Sequence, residues 1–199
     1  GHIMSKIDEL RLHGRNRKLP PAIKVGQLTP EIMLHNLFIY HSLADDPSNL
    51  TGEQTAEHRH QNAVVGVSTG ESVYQLADFY NQIHSDEITL HCSIFDIKNQ
   101  RYAMLDPGQH LDYHMDPPNT YNIICPLSDP VTLKAQTGKR GEDLWNKDIK
   151  EYNIDIGEIW FINPSHPHAS FHESQDVRVA VLANFDYTKE AYDHLTRLL

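Results

Sequence analysis

Histidine sets this sequence apart, with 14 copies among 199 residues against two cysteines. Imidazole in place of thiolate suits a metal held by nitrogen and oxygen, and speaks against zinc–thiolate or disulfide frameworks. His2 falls in Gly1-His2-Ile3-Met4, which reads as a cleavage and cloning scar outside the fold. Eight more (His13, His35, His41, His58, His60, His84, His91 and His194) stand singly in helical, loop or terminal contexts, where a surface or satisfied core role is ordinary. The remaining five form two groups: His110 with His114, and His166 with His168 and His172.

The first group lies in Gln109-His110-Leu111-Asp112-Tyr113-His114-Met115-Asp116. Strand residues two apart share a face, so His114 and Asp116 can offer an imidazole and a carboxylate to one point. One further imidazole would complete three ligands on one face of an octahedral ion and leave its other positions open, the arrangement of non-haem Fe(II) oxygenases. The pattern is short, and it occurs twice, as His110-x-Asp112 and His114-x-Asp116. The second group follows the apolar run Ile159–Ile162 and a turn at Asn163-Pro164, leaving His166, His168 and His172 as candidates for the third ligand. Arg178 lies ten residues past His168, inside the apolar run from Val177 to Leu182. A guanidinium there is costly to bury unless it meets an anion, and its planar fork fits a carboxylate, whether an internal acid or a bound one.

The elements that must position these residues are signalled unevenly. Residues 5–24 are basic and end in Leu19-Pro20-Pro21, which suggests an arm packed on the surface. A helix is expected from Thr29, with Thr29 as cap, Pro30 in the first turn, and Ile32, Leu34, Leu37, Phe38 and Ser42 on one face until Asp45-Asp46-Pro47. A second helix is expected over Glu71–His84. Beyond Glu87 short β-rich runs follow, at Ile88–Ile97, Arg101–Leu105, Thr120–Leu127, Val131–Ala135, Tyr152–Ile162 and Val177–Phe185, separated by Pro/Gly/Asp turns. Thr188–Leu199 closes the chain as a short amphipathic helix. Helices first and regularly spaced strands afterwards argue for a mainly β sandwich or barrel with flanking helices. The expected organisation is one domain over 5–199: N-terminal arm and supporting helices to 87, β core over 88–187, and the C-terminal helix.

Over roughly Arg101–Tyr187 the chain resembles the 2-oxoglutarate-dependent Fe(II) oxygenases, in particular the aspartyl/asparaginyl β-hydroxylase branch that includes bacterial proline hydroxylases. Pro107-Gly108-Gln109-His110-Leu111 followed by His114-Met115-Asp116 is similar to that branch's Pro-Gly-x-x-Leu-x-x-His-x-Asp motif. Gly157-Glu158-Ile159-Trp160-Phe161 followed by Pro167-His168 is similar to its second-histidine strand, and Arg178 falls where the family places the arginine for the far carboxylate of 2-oxoglutarate. The resemblance implies a double-stranded β-helix (jelly roll, cupin-like) core, with Fe(II) on His114, Asp116 and His168 and 2-oxoglutarate on Arg178. It implies a hydroxylase that oxidises an amino acid or peptidyl side chain with O2 and releases succinate and CO2. No side-chain acid or base is needed. The strand after the His-x-Asp often carries an arginine in this branch. Here Thr120 or Asn122 stands there, so Asn122 is expected to contact the cosubstrate through a neutral hydrogen bond.

Composition narrows the partners. The formal charge of −10, from 27 acids and 17 bases, argues against a general nucleic-acid binder. No apolar run reaches the roughly 18 residues of a membrane span. With no signal-like core after Met4, the cytoplasm is the expected location, and Cys92 and Cys125 are expected as free buried thiols. Gly138–Trp145, charged and flanked by glycine, reads as either a lid over a pocket or a solvated loop.

Overall fold

The computed structural model describes residues 4–46, 72–75, 95–105, 107, 110–137, 148–172 and 174–199. Its elements run α1 (Lys6–Asn16), β1 (Ala22–Gln27), α2 (Pro30–Ala44), β2 (Ser72–Gln75), β3 (Lys98–Leu105), β4 (His110–His114), β5 (Thr120–Pro126), β6 (Val131–Gln136), β7 (Ile149–Ile154), β8 (Glu158–Ile162), β9 (His168–Phe171), β10 (Arg178–Asp186) and α3 (Lys189–Arg197). A six-stranded sheet in the order β1-β8-β5-β10-β3-β2 is joined by a four-stranded sheet in the order β4-β9-β6-β7. Among the described residues every pairing is antiparallel. The result is a jelly-roll core with flanking helices.

Strand alternation divides the large sheet into two chemically different faces. Tyr121, Ile123 and Cys125 of β5, Val179, Val181 and Phe185 of β10, Tyr102 and Met104 of β3, and Ile159 and Phe161 of β8 join one apolar cluster. Ile39 and Leu43 of α2 and Ala191 and Leu195 of α3 close over it. The intervening residues Asn122, Ile124, Arg178, Ala180, Leu182, Asn184, Arg101 and Ala103 face a cavity instead. Cys125 is a free buried thiol, whereas Cys92 lies outside the described residues.

Several expectations need correcting. The basic N-terminal segment is no surface arm: Leu12 and Asn16 of α1 and Leu19 are buried, and β1 pairs with β8 from Ala22↔Ile162 to Gln27↔Glu158. The β core therefore begins at Ala22, well before residue 88. Its basic residues are compatible with packing because they find partners on the β core: Arg15 donates to the Tyr187 hydroxyl and Lys24 pairs with Glu158 of β8. The helix expected over Glu71–His84 starts instead as strand β2, whose Val73 and Tyr74 pair with Ala103 and Tyr102. β-branched and aromatic residues against an open strand edge outweigh helical spacing there; the rest of that segment lies outside the described residues.

The expected helix from Thr29 is α2, with the Thr29 hydroxyl accepting from the Ile32 N–H, but its buried face is Asn36, Ile39 and Leu43. Leu34 and Phe38 stand outward. Buried Asn36 obscured that face: its amide accepts from the Tyr102 hydroxyl and donates to the Ile32 carbonyl. The single run Tyr152–Ile162 is two strands. Gly157 turns the chain between them at φ +81°, and a side chain there would sit 2.5 Å from the Met33 sulfur. The Ile88–Ile97 run lies almost wholly outside the described residues, and its last three precede the strand that starts at Lys98. The 138–145 segment also lies outside them. Among the described residues no helix is long and apolar enough to cross a membrane.

Candidate metal centre

His114 ends β4, Asp116 follows two residues later, and His168 opens β9. Their ligand atoms all lie within 4.8 Å of one another. His168 Nε2 is 3.3 Å from Asp116 Oδ2, and His114 Nε2 is 3.9 Å from Asp116 Oδ1. β4 and β9 pair antiparallel, with His114 directly opposite His168. A backbone bond from the Asp116 N–H to the Pro164 carbonyl (3.1 Å) ties the two ligand-bearing connections together.

A bulge selects between the two His-x-Asp pairs. Leu111 pairs with Ser170 and His114 with His168, so between these pairs two residues on β4 oppose one on β9. The extra residue reverses the alternation, and both Leu111 and His114 face the cavity. His110 and Asp112 pair with each other at 2.7 Å on the half-exposed side, and the His110 ring lies parallel to Phe171. The three candidates for the third ligand also separate. The His166 ring nitrogens face the carbonyls of Leu19 (3.0 Å) and Gln136 (3.3 Å). His172 Nε2 meets the Asp176 carbonyl. His168 alone of the three belongs to the cluster.

The ring tautomers follow from backbone contacts. Nδ1 of His114 is 2.7 Å from the Asp112 carbonyl, and Nδ1 of His168 is 2.8 Å from the His166 carbonyl. A carbonyl oxygen only accepts, so each Nδ1 carries the proton, and in the neutral ring each Nε2 presents its lone pair to the centre. Two lone pairs and a carboxylate then converge with no proton between them, which a cation or imidazole protonation must relieve. The donor set, two imidazoles and one carboxylate, fits a first-row divalent metal such as Fe(II) and leaves sites open for other ligands. Burial alone would push the Asp116 carboxyl up. Hydrogen bonding and charge from His168, the charge of His114 and the Asn122 amide outweigh it and hold the group below the usual carboxylate range.

Around the centre is a cavity of about 340 Å³, at the small end for a ligand pocket. Arg178, 5% exposed, reaches it from the start of β10 and donates to the Ser170 hydroxyl at 3.0 Å. Ser170 is two residues past His168 on the same face of β9, a signal that sequence reasoning passed over. Asn122 lines the cavity too, but its Nδ2 donates to Asp116 Oδ2 at 3.0 Å while its carbonyl accepts from Asn184. Asn184 in turn accepts from Arg101 at 3.0 Å. Arg101 and Asn184 were not singled out from sequence. They come to this centre only through the pairing of β3 and β5 with β10.

No protein-family model and no curated protein sequence matches the chain. Among solved structures it is similar to the non-heme alpha-ketoglutarate-dependent epimerase SnoN from nogalamycin biosynthesis, at 12% identity and TM-score 0.59, over 91% of this chain and 83% of that one. A protein described as a predicted oxalate decarboxylase from Thermotoga maritima matches over 71% of this chain and 97% of its own at 12% identity and TM-score 0.43. An oxalate oxidase matches over 70% and 57% at 13% identity and TM-score 0.41. At such identities the likeness is one of fold.

Proposed function

We propose that this chain is a 2-oxoglutarate- and Fe(II)-dependent dioxygenase that hydroxylates an unactivated C–H of an amino acid or a peptidyl side chain of Asp, Asn or Pro type. The observation that carries this reading is the convergence in one pocket of His114, Asp116 and His168 with the buried pair Arg178–Ser170. A site that only held a metal would have no use for a buried guanidinium beside a hydroxyl on the same wall. Both are donors suited to a carboxylate, and the arginine supplies the charge.

His114 and His168 would bind iron through Nε2, each ring held by its Nδ1 bond to a backbone carbonyl, and Asp116 would be the anionic ligand. Asn122 keeps the carboxylate oriented through Oδ2. Arg178 and Ser170 would hold the far carboxylate of 2-oxoglutarate. Ile124, Leu133, Ile154 and Leu182 line the rest and limit water. When bound, the iron and its cosubstrate supply the oxidative chemistry, with the balance R–H + O2 + 2-oxoglutarate → R–OH + succinate + CO2.

The test is anaerobic loading with Fe(II), then 2-oxoglutarate and a panel of free amino acids and short peptides in air. Succinate should form together with a product one oxygen atom heavier. Absence of both succinate and any thermal stabilisation by 2-oxoglutarate plus metal would remove the reading and favour a jelly-roll metal protein with other chemistry. The likeness to an epimerase favours a second outcome, an inverted stereocentre at unchanged mass, which chiral chromatography of the same reactions detects.

A further inference from the structure

The cavity contains a second arginine that the proposed reaction leaves unused. Arg178 pairs across β10 and β3 with Leu105, and Leu182 pairs with Arg101. The two guanidinium-bearing positions are therefore four residues apart along the sheet, roughly 13 Å at strand spacing. Between them Ala180 lies opposite Ala103, and both line the cavity. Two methyl groups thus form the floor where larger side chains would fill it. The arginines differ in setting. Arg178 is buried against Ser170, while Arg101 is half-buried and donates to Asn184.

From Arg101 the donors run in one direction: Arg101 to Asn184, Asn184 to Asn122, and Asn122 to Asp116. Such head-to-tail amide chains polarise one another, and here the chain fixes the guanidinium relative to the ligand carboxylate. Asn184 accepts from Nη1, and this contact holds the guanidinium at the cavity wall. Its planar fork matches the two oxygens of one carboxylate.

We infer that Arg101, held by Asn184, is the recognition residue for a free carboxylate on the substrate, which would lie over the Ala103–Ala180 floor with its reacting carbon toward His114, Asp116 and His168. This rests on the dioxygenase reading and narrows its substrate class to small carboxylic acids, free amino acids among them. Internal peptidyl Asn and Pro, which carry no free carboxylate, fall outside it.

The experiment uses the full-length protein loaded with Mn(II), which binds like iron without turnover, plus 2-oxoglutarate. Free amino acids and simple monocarboxylic acids are titrated beside their matching carboxamides, with binding read by calorimetry and melting temperature. At least one acid should bind tenfold or more tighter than its amide. Arg101→Gln should abolish that preference while 2-oxoglutarate affinity stays within about threefold. Arg101→Lys, checked for folding by circular dichroism, should restore part of the preference and serves if the glutamine variant does not fold. Equal binding of acids and amides, binding of none, or a preference that survives in Arg101→Gln overturns the inference. So does loss of 2-oxoglutarate binding in that variant, which would place Arg101 with the cosubstrate. Should 2-oxoglutarate fail to bind the wild type while an Arg101-dependent acid preference persists, the dioxygenase reading falls and the carboxylate site stands.

Discussion

The two faces of the six-stranded sheet are built from the same strands and do opposite work. On the helix side β5, β8 and β10 contribute Tyr121, Phe161 and Phe185, all fully buried and meeting one another edge-on or tilted at 5.2 to 6.3 Å between ring centres. On the cavity side the alternate residues of β5 and β10 include Asn122, Arg178 and Asn184, beside Ile124, Leu182 and the small Ala180. One face gains stability by excluding water and filling space. The other keeps space open and holds charges and amides in fixed directions. A period of two in the backbone is enough to separate them, so a substitution on one face should leave the other's property largely alone.

The strongest break is expected on the sealed face. Phe161→Ala should cost about 3–5 kcal/mol by emptying a packed site, read as a lowered denaturant midpoint. Metal affinity of the fraction that remains folded should stay near wild type, and a parallel collapse of metal binding would show that the faces are coupled. On the open face His168→Ala should reverse this pattern. Fe(II) or Co(II) affinity should fall by more than ~100-fold, above what loss of a supporting contact costs, while the metal-free protein unfolds close to the wild-type midpoint. Retained metal binding would sink the ligand assignment. Asn122→Ala comes third. It removes the donor to Asp116 Oδ2 and should weaken metal binding about 10-fold. An unchanged metal affinity together with weakened 2-oxoglutarate would return Asn122 to the cosubstrate.

These residues also mark what sequence could and could not supply. Runs such as Thr120–Leu127 and Val177–Phe185 read as strands because β-branched and apolar residues are bounded by turn residues, and Arg178 stood out as a charge in apolar company. The sites where inference faltered share one cause, the dependence of meaning on a distant partner. Plain alternation puts His110, Asp112 and His114 on one face, and only the bulge against β9 turns His114 inward. His166 and His168 are equivalent by type and spacing until Leu19, 147 residues away, claims the His166 ring. α1 looked like a basic arm because its buried polar contacts are all remote: Asn16 donates to Ser165 and to the Pro118 carbonyl, and accepts from the Tyr121 hydroxyl. Those bonds fasten α1 under the two connections that carry Asp116 and His168.

The smallest effect tests whether the edge of the sheet contributes through charge. Lys24 of β1 reaches Glu158 of β8 at 2.9 Å, and the other Glu158 oxygen accepts from the Asp155 N–H at 2.7 Å. Burial would raise the Glu158 carboxyl, but the Lys24 ammonium and the Asp155 N–H outweigh it and hold the group below its ordinary 4.5. A carboxyl lowered by folding stabilises the folded state fully above its unfolded value and loses that contribution as pH falls through the lowered value. Glu158→Gln should therefore reduce stability at pH 7 by no more than about 1 kcal/mol, the range of a solvent-screened pair. The difference from wild type should shrink as pH drops below 4.5 and be smaller in high salt. Denaturant midpoints of both proteins at pH 7 and near the acid limit of folding give the comparison. A gap that stays constant with pH would assign the effect to lost packing, since β1 is then held to β8 by its backbone ladder and the buried Ala22 and Ile23 alone.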